Sequence, residues 1–180
     1  MMSSFYLFSH LVLWSIVFLL SYIAMIIMKE NIKIKSMLHE EHEGLPKGIV
    51  FPLERHISPK QEWTVIAPEK DGTLIFFTSC YCDACKKLYP IINELYNKLP
   101  VYQYFVYISG PEEEVEQLLQ NHRLDAPIVR VDNFKDLQTP VVPFAYFISS
   151  DGIIQAKGIV NSENHIHTLI SKGTRQASAS

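Results

Sequence analysis

Cysteine is almost missing from this chain of 180 residues: there are three, all between positions 80 and 85. Sulfurs so close in sequence cannot tie distant segments together, so a structural disulfide framework is excluded. Charge is missing from a second stretch, since Phe5 to Met28 holds no Asp, Glu, Lys or Arg. An excess of positive charge is also lacking. Lys and Arg total 16 against 19 acidic residues, a net charge of −3, which leaves no electrostatic footprint for a nucleic acid. There is no internal repeat, and no low-complexity tract beyond the last few residues. What remains is room for one ordinary domain, preceded by an uncharged segment, with all its thiols in one place.

The uncharged segment is about 24 residues long, enough to span a bilayer core of roughly 30 Å. A cleaved signal peptide fits poorly: there is no basic leader, the apolar run is too long, and no Ala-x-Ala site follows. Residues 1–30 are therefore expected to be a retained transmembrane anchor in contact with the lipid bilayer. Residues 31–47 read as a juxtamembrane linker. Within it His39 and His42 stand three apart with carboxylates between them, but a metal site would want a further well-spaced ligand, and a polar stalk is the plainer reading. Lys29, Lys33 and Lys35 follow the anchor and none precedes it; on the positive-inside rule this would leave the domain in the cytoplasm.

The domain, expected over 48–173, centres on Thr78-Ser79-Cys80-Tyr81-Cys82-Asp83-Ala84-Cys85-Lys86-Lys87. Before it, Thr73-Leu74-Ile75-Phe76-Phe77 has the pattern of a buried strand. After it, Leu88, Ile91, Ile92, Leu95, Tyr96 and Leu99 recur at helical spacing. The Cys-x-x-Cys of Cys82 and Cys85 thus sits where a strand ends and a helix begins. The free N–H groups and dipole of a first helical turn stabilise a thiolate, which can lower its pKa to roughly 3.5–7.5. With two residues between them, the sulfurs can approach to bonding distance. Cys82, facing solvent, is the expected attacking thiolate, and Cys85, facing inward, the resolving thiol. Cys80 reads as a packed thiol at the strand end or as a competitor for a disulfide. Asp83 beside Cys82 disfavours its thiolate, while Lys86, Lys87 and the dipole favour it. The carboxylate points toward a reductant or isomerase over a strong oxidant.

Elsewhere the pattern alternates strand and helix. Ile49-Val50-Phe51 and Trp63-Thr64-Val65-Ile66 could be short strands, limited by Pro46, Pro52, Pro59 and Pro68. Val101 to Ile108 reads as a second buried strand. Ser109-Gly110-Pro111-Glu112 reads as a helix start with a small polar cap and acids in the first turn, followed by Val115, Leu118 and Leu119 inward. Ile128 to Val131 is a short strand, and 133–137 a short helix or loop. Phe144 to Ile148 and Ile153 to Val160 form a hairpin through Asp151-Gly152. A last helix begins at Ser162, presents Ile166, Leu169 and Ile170, and is expected to end at Gly173, with 174–180 a disordered tail. The fold class is α/β, a central mixed sheet with helices on both faces. The segment from Ser109 to Leu137 is expected as an insertion between its halves.

At the Cys-x-x-Cys the chain resembles the thioredoxin-like superfamily. Pro90, five residues after Cys85, stands where that family usually kinks its active-site helix. Val142-Pro143-Phe144-Ala145-Tyr146-Phe147-Ile148 is similar to the family's cis-proline strand. More narrowly, the order of anchor, linker and domain resembles the membrane-anchored MauD-type (methylamine utilisation) proteins. So do the segments Leu74 to Phe77, Cys82 to Cys85, Leu88-Tyr89-Pro90 and Ala156 to Ser162. The resemblance implies that Pro143 packs against the dithiol and that the backbone at Val142 and Pro143 binds a protein substrate. It also implies an extracytoplasmic domain, a role in maturing an exported disulfide-bearing protein, and a membrane protein that donates or accepts electrons. The chain departs from the family at Tyr81, at Asp83-Ala84, and at Phe76, where many relatives carry a buried acid.

Together these readings describe a membrane-anchored thiol–disulfide oxidoreductase with Cys82 and Cys85 as catalytic residues, Val142 and Pro143 as substrate-binding residues, and no metal, nucleotide or flavin. A zinc site would want a second pair of ligands, and a copper-delivery site a Cys-x-x-x-Cys with a distant histidine. The rival class is a non-catalytic thioredoxin-like docking or chaperone module, or a tethered redox sensor.

Overall fold

The computed structural model describes residues 10, 12–29, 44–52, 67–135, 138–139 and 141–177. The chain divides into two compact units, Met1–His39 and Glu40–Ser180. The expectations at His39, His42 and 63–66 lie outside the described residues.

In the first unit, Val12–Lys29 is a helix (α1) of 18 residues with mean hydropathy 2.1 and none of its apolar surface buried against protein. At 1.5 Å per residue it is about 27 Å long. It is long and apolar enough to cross a membrane, in keeping with an anchor.

The second unit is built on a five-stranded sheet in the order β3-β2-β1-β4-β5. The strands are β1 (Thr73–Ser79), β2 (Gln103–Ser109), β3 (Ile128–Val131), β4 (Phe144–Ile148) and β5 (Ile154–Ile159). β1 pairs with β2 in parallel, Leu74 opposite Tyr104 and Phe76 opposite Val106, and β2 pairs with β3 in parallel. β4 runs antiparallel to β1, and β5 antiparallel to β4. The inner strands are apolar at nearly every position because they are covered on both sides. Alternate residues then feed two cores. Leu74, Phe76, Tyr104, Val106, Ala145 and Phe147 face one, and Ile75, Phe77, Phe105, Tyr107, Phe144 and Tyr146 the other.

The helices of this unit are α2 (Asp83–Lys98), α3 (Glu112–Asn121) and α4 (Glu163–Ala177). All three bury their apolar stripes in the first core: Leu88, Ile92 and Leu95 from α2, Val115 and Leu118 from α3, Ile166 and Leu169 from α4. Helices on both faces were the expectation; among the described residues, all lie on one. The reason is topological. The crossovers β1-α2-β2 and β2-α3-β3 step the same way along the sheet, and crossovers of one hand then lay both helices on the same side. The opposite face is covered by irregular chain, through Leu45, Phe51 and Phe134.

The stretch from Ser109 onward, expected as an insertion, supplies α3 and the edge strand β3. Three expectations are corrected. Pro111 itself stands at the start of α3, with no side-chain cap. Gly173 does not end α4, which runs through it to Ala177, so helix replaces the first four residues of the expected tail. Glycine is there for space: a Cβ on Gly173 would strike the ring of Phe147. Of the strand expected at 49–51, only a bridge from Val50 to Ile153 forms.

Candidate active site

The site forms where β1 ends and α2 begins. Ser79 closes the strand, Cys80 and Tyr81 turn, and Cys82 becomes the N-cap of α2 with extended backbone (φ −97°, ψ 106°). The turn is held by the Cys80 N–H donating to the Ser109 carbonyl and the Cys82 N–H donating to the Ser79 carbonyl, both at 3.1 Å. Cys82 and Cys85 are joined by a disulfide, with their Cα atoms 5.3 Å apart. The Cys85 N–H donates to Cys82 Sγ at 3.1 Å, so a first-turn amide already points at the sulfur that would carry the negative charge. Cys85 is fully buried in the same core as Leu88 and Tyr89, whereas Cys82 is only half-buried. Cys82 is thus the outer sulfur of the pair and Cys85 the inner one.

The peptide bond Val142–Pro143 is cis. The Val142 carbonyl oxygen lies 3.9 Å from Cys82 Sγ, so the structure brings together the two cysteines and the proline turn that the sequence singles out. Pro143 is buried, and its carbonyl accepts from Val160 N–H at 3.2 Å, which fixes the turn to the strand pair behind it.

Asp83 turns out to be a weaker influence on Cys82 than its place in the sequence suggests. Its carboxylate is exposed and paired with Lys86 Nζ at 2.8 Å. The hydrogen bond and charge of Lys86 hold the carboxyl below its usual range. An adjacent ammonium offsets the field of that carboxylate, so the lean toward a reductant loses its support. Phe76, in place of a buried acid, is fully buried and stacks on Tyr104, with ring centroids 6.5 Å apart.

Sequence reasoning missed Glu114, which it took as part of a helix start. Its carboxylate lies 3.8 Å from Cys80 Sγ. Burial first, then the charge of Glu114, push the Cys80 thiol up from its ordinary value. The Tyr81 phenol is pushed up to about 12, chiefly by its hydrogen bond to the same carboxylate. Cys80 itself is buried and free, and Gly110 presses on it so closely that a Cβ there would collide with its sulfur. Of its two readings, the packed thiol is the one that matches. Glu114 is 34 residues from Cys80 in the chain, and no local pattern could have joined them. Among the described residues no group of three His, Cys, Asp or Glu side chains could hold a metal ion.

With this geometry in hand, the chain can be set beside known proteins. No family model matches it. It is 31% identical over 99 residues to the methylamine utilization protein MauD of Methylobacillus flagellatus, covering 54% of this chain and 48% of that one. The MauD protein of Paracoccus versutus is 29% identical over 100 residues, 54% of this chain and 50% of the relative. The chain thus spans about half the length of the curated relatives it matches. Among solved structures it is similar to the thioredoxin domain of a thiol-disulfide oxidoreductase from Bacteroides vulgatus. The TM-score there is 0.53 at 18% identity, over 69% of this chain and 97% of that one. A thioredoxin-like protein from Aeropyrum pernix gives a TM-score of 0.51 at 11% identity, over 82% and 98%. The fold is thioredoxin-like, and the resemblance to MauD-type proteins stands.

Proposed function

We propose that this protein is a thiol–disulfide oxidoreductase that acts on other proteins through Cys82 and Cys85. The observation that carries the reading is the Cys82–Cys85 pair closed at the first turn of α2, with the Val142 carbonyl 3.9 Å from the outer sulfur. In the reducing direction the Cys82 thiolate attacks one sulfur of a substrate disulfide. A Cys82–substrate bond forms, and the second substrate sulfur leaves as a thiolate and takes up a proton. Cys85, as thiolate, then attacks Cys82; the first substrate sulfur leaves, and the protein is left with its own disulfide. Two electrons from a dithiol partner reset it. Run backwards, the same steps oxidise a substrate dithiol. Val142 and Pro143 hold the substrate as an extended segment by backbone pairing beside Cys82.

The apolar helix α1 tethers this chemistry to a membrane as a single-pass anchor, with the domain on the extracytoplasmic side. There it would serve the maturation of exported proteins, exchanging electrons with a membrane protein. This placing follows what the MauD-type resemblance of the sequence implies, against the lysine count after the anchor.

Two experiments test the reading. Cys82→Ser should abolish exchange with any disulfide, and Cys85→Ser should accumulate mixed disulfides visible on a non-reducing gel; a docking module would tolerate both changes. Labelling of reduced, intact cells with a membrane-impermeant maleimide should reach Cys82. Labelling that requires lysis would return the domain to the cytoplasm and remove the export role.

A further inference from the structure

The sheet face that carries no described helix ends, beside the dithiol, in a cavity of about 550 Å³. It opens at the carboxyl ends of β1 and β2, between the chain that follows β3 and the approach to β4. Two of its walls belong to the site already described. Ser79 supplies the carbonyl that holds the Cys82 N–H, and Val142 supplies the carbonyl nearest Cys82 Sγ. The cavity therefore adjoins the reacting sulfur.

Its chemistry is mixed in a particular way. Phe134 and Val142 give an apolar lining. The hydroxyl of Ser109 donates to the Thr78 carbonyl at 3.5 Å, which leaves its oxygen lone pairs available as acceptors. Asn133 spends its Oδ1 on the Lys135 N–H at 3.0 Å, which leaves its amide N–H₂ as a donor. Among the described residues, the charges that line the cavity are opposite in sign, Asp132 and Lys135, and Asp132 is already matched by Arg130 at 2.7 Å. Such a lining repels neither sign strongly and rewards a group that both donates and accepts.

We infer that this cavity is a specificity pocket for a long, uncharged amide side chain, that of glutamine, next to the reacting cysteine of the protein substrate. An extended segment paired along Val142 turns successive side chains to opposite sides, so a flanking residue of the substrate cysteine is directed to this face. The stem of glutamine lies along Phe134 and Val142, and its carboxamide meets Ser109 and Asn133. The inference rests on the oxidoreductase reading above and adds the substrate class to it.

The test uses the full chain in detergent, pre-reduced, in single turnover. The substrates are short peptides whose one cysteine is disulfide-linked to 2-nitro-5-thiobenzoate, with Gln, Leu, Glu or Lys on either side of the cysteine. Ellman's reagent, which carries no amide side chain, reports the dithiol alone. The glutamine peptide should react about tenfold faster than the leucine peptide at one flanking position, the worth of a well-made hydrogen bond, with Glu and Lys in between. Ser109→Val, which removes the acceptor and fills the space, should bring that ratio to near one. Equal rates for Gln and Leu in the unaltered protein would overturn the pocket while leaving the dithiol standing, and this arm needs no variant to fold. A preference unmoved by both Ser109→Val and Asn133→Ala would overturn it too. A reduced chain that reacts with neither Ellman's reagent nor any peptide would bring down the oxidoreductase reading itself, and the pocket with it.

Discussion

On the helix-covered face the end of β1 is sealed. Thr78 accepts a hydrogen bond from the Tyr89 hydroxyl at 3.3 Å and donates to the Tyr107 carbonyl, and Cys80 lies buried beneath Gly110 and Glu114. On the opposite face the intervening residue, Ser79, ends in an open cavity. One step along a strand therefore separates a thiol kept from chemistry from a surface that adjoins it. The contrast teaches that cysteine count says little about reactivity here. The same short turn holds a sulfur enclosed by desolvation and a nearby carboxylate, and a second sulfur met by an amide at a helix start.

The largest expected effect separates the two sulfurs. Cys82→Ser should reduce exchange with Ellman's reagent to the uncatalysed rate, whereas Cys80→Ser should leave it within about twofold, since no step of the exchange passes through Cys80. A comparable loss in both variants would erase the distinction.

Next come the packing differences between the faces. Gly173→Val drives a branched side chain into Phe147 under α4 and should cost about 3 kcal/mol, read as a fall in the denaturant midpoint at constant slope. Gly110→Ala meets Cys80 at a backbone φ of +152° and should cost about 2 kcal/mol. Its neighbour Ser109 faces the cavity, and Ser109→Ala should cost no more than about 1 kcal/mol. If Gly110→Ala proved the milder of the two, the sealed face would be looser than drawn.

Smaller effects are expected within the loop-covered face. The Tyr146 hydroxyl receives the Leu45 N–H at 2.8 Å and sits 3.2 Å from Thr139 Oγ1. Tyr146→Phe leaves that buried amide without its partner and should cost about 1–2 kcal/mol. The Tyr107 hydroxyl is buried with no partner among the described residues. Tyr107→Phe should therefore be neutral or stabilising by up to about 1 kcal/mol in the same unfolding assay.

The smallest concerns pH. The Cys80 thiol is pushed up from its ordinary value, first by burial and then by Glu114, so at a given pH its thiolate is scarcer than that of an ordinary thiol. In a Cys82→Ser/Cys85→Ser background, alkylation of Cys80 should be slow and its pH midpoint should lie above that of an ordinary thiol. Glu114→Gln removes the smaller of the two causes and should shift that midpoint down and raise the rate at pH 8 by roughly threefold. An unchanged midpoint would leave burial as the whole cause.

The sealed face was also the legible one. α2 could be read from Leu88, Ile92 and Leu95 because helical spacing is local, and β1, β2 and β4 because strands covered on both sides are apolar throughout. The dithiol and its helix start were legible for the same reason. What escaped depends on partners far along the chain. α4 runs through Gly173 because Phe147, on a strand, occupies the space a side chain would need. β3 could be recognised as a strand, but its place at the sheet edge depends on pairing with β2. Irregular chain covers the second face, through Leu45, Phe51 and Phe134, and irregular chain has no period to detect. The contact of Glu114 with Cys80 and the polar cavity likewise form only when segments distant in the chain meet.

The first described residues of the domain are Gly44 and Leu45. There the Gly44 N–H donates to the Gln138 carbonyl at 2.8 Å, Lys157 Nζ donates to the Gly44 carbonyl at 3.3 Å, and Leu45 N–H donates to Tyr146. Gln138 and Thr139 are also walls of the cavity beside Cys82. The first described residues of the domain are thus fastened to residues that shape the cavity rather than to a remote corner of the fold.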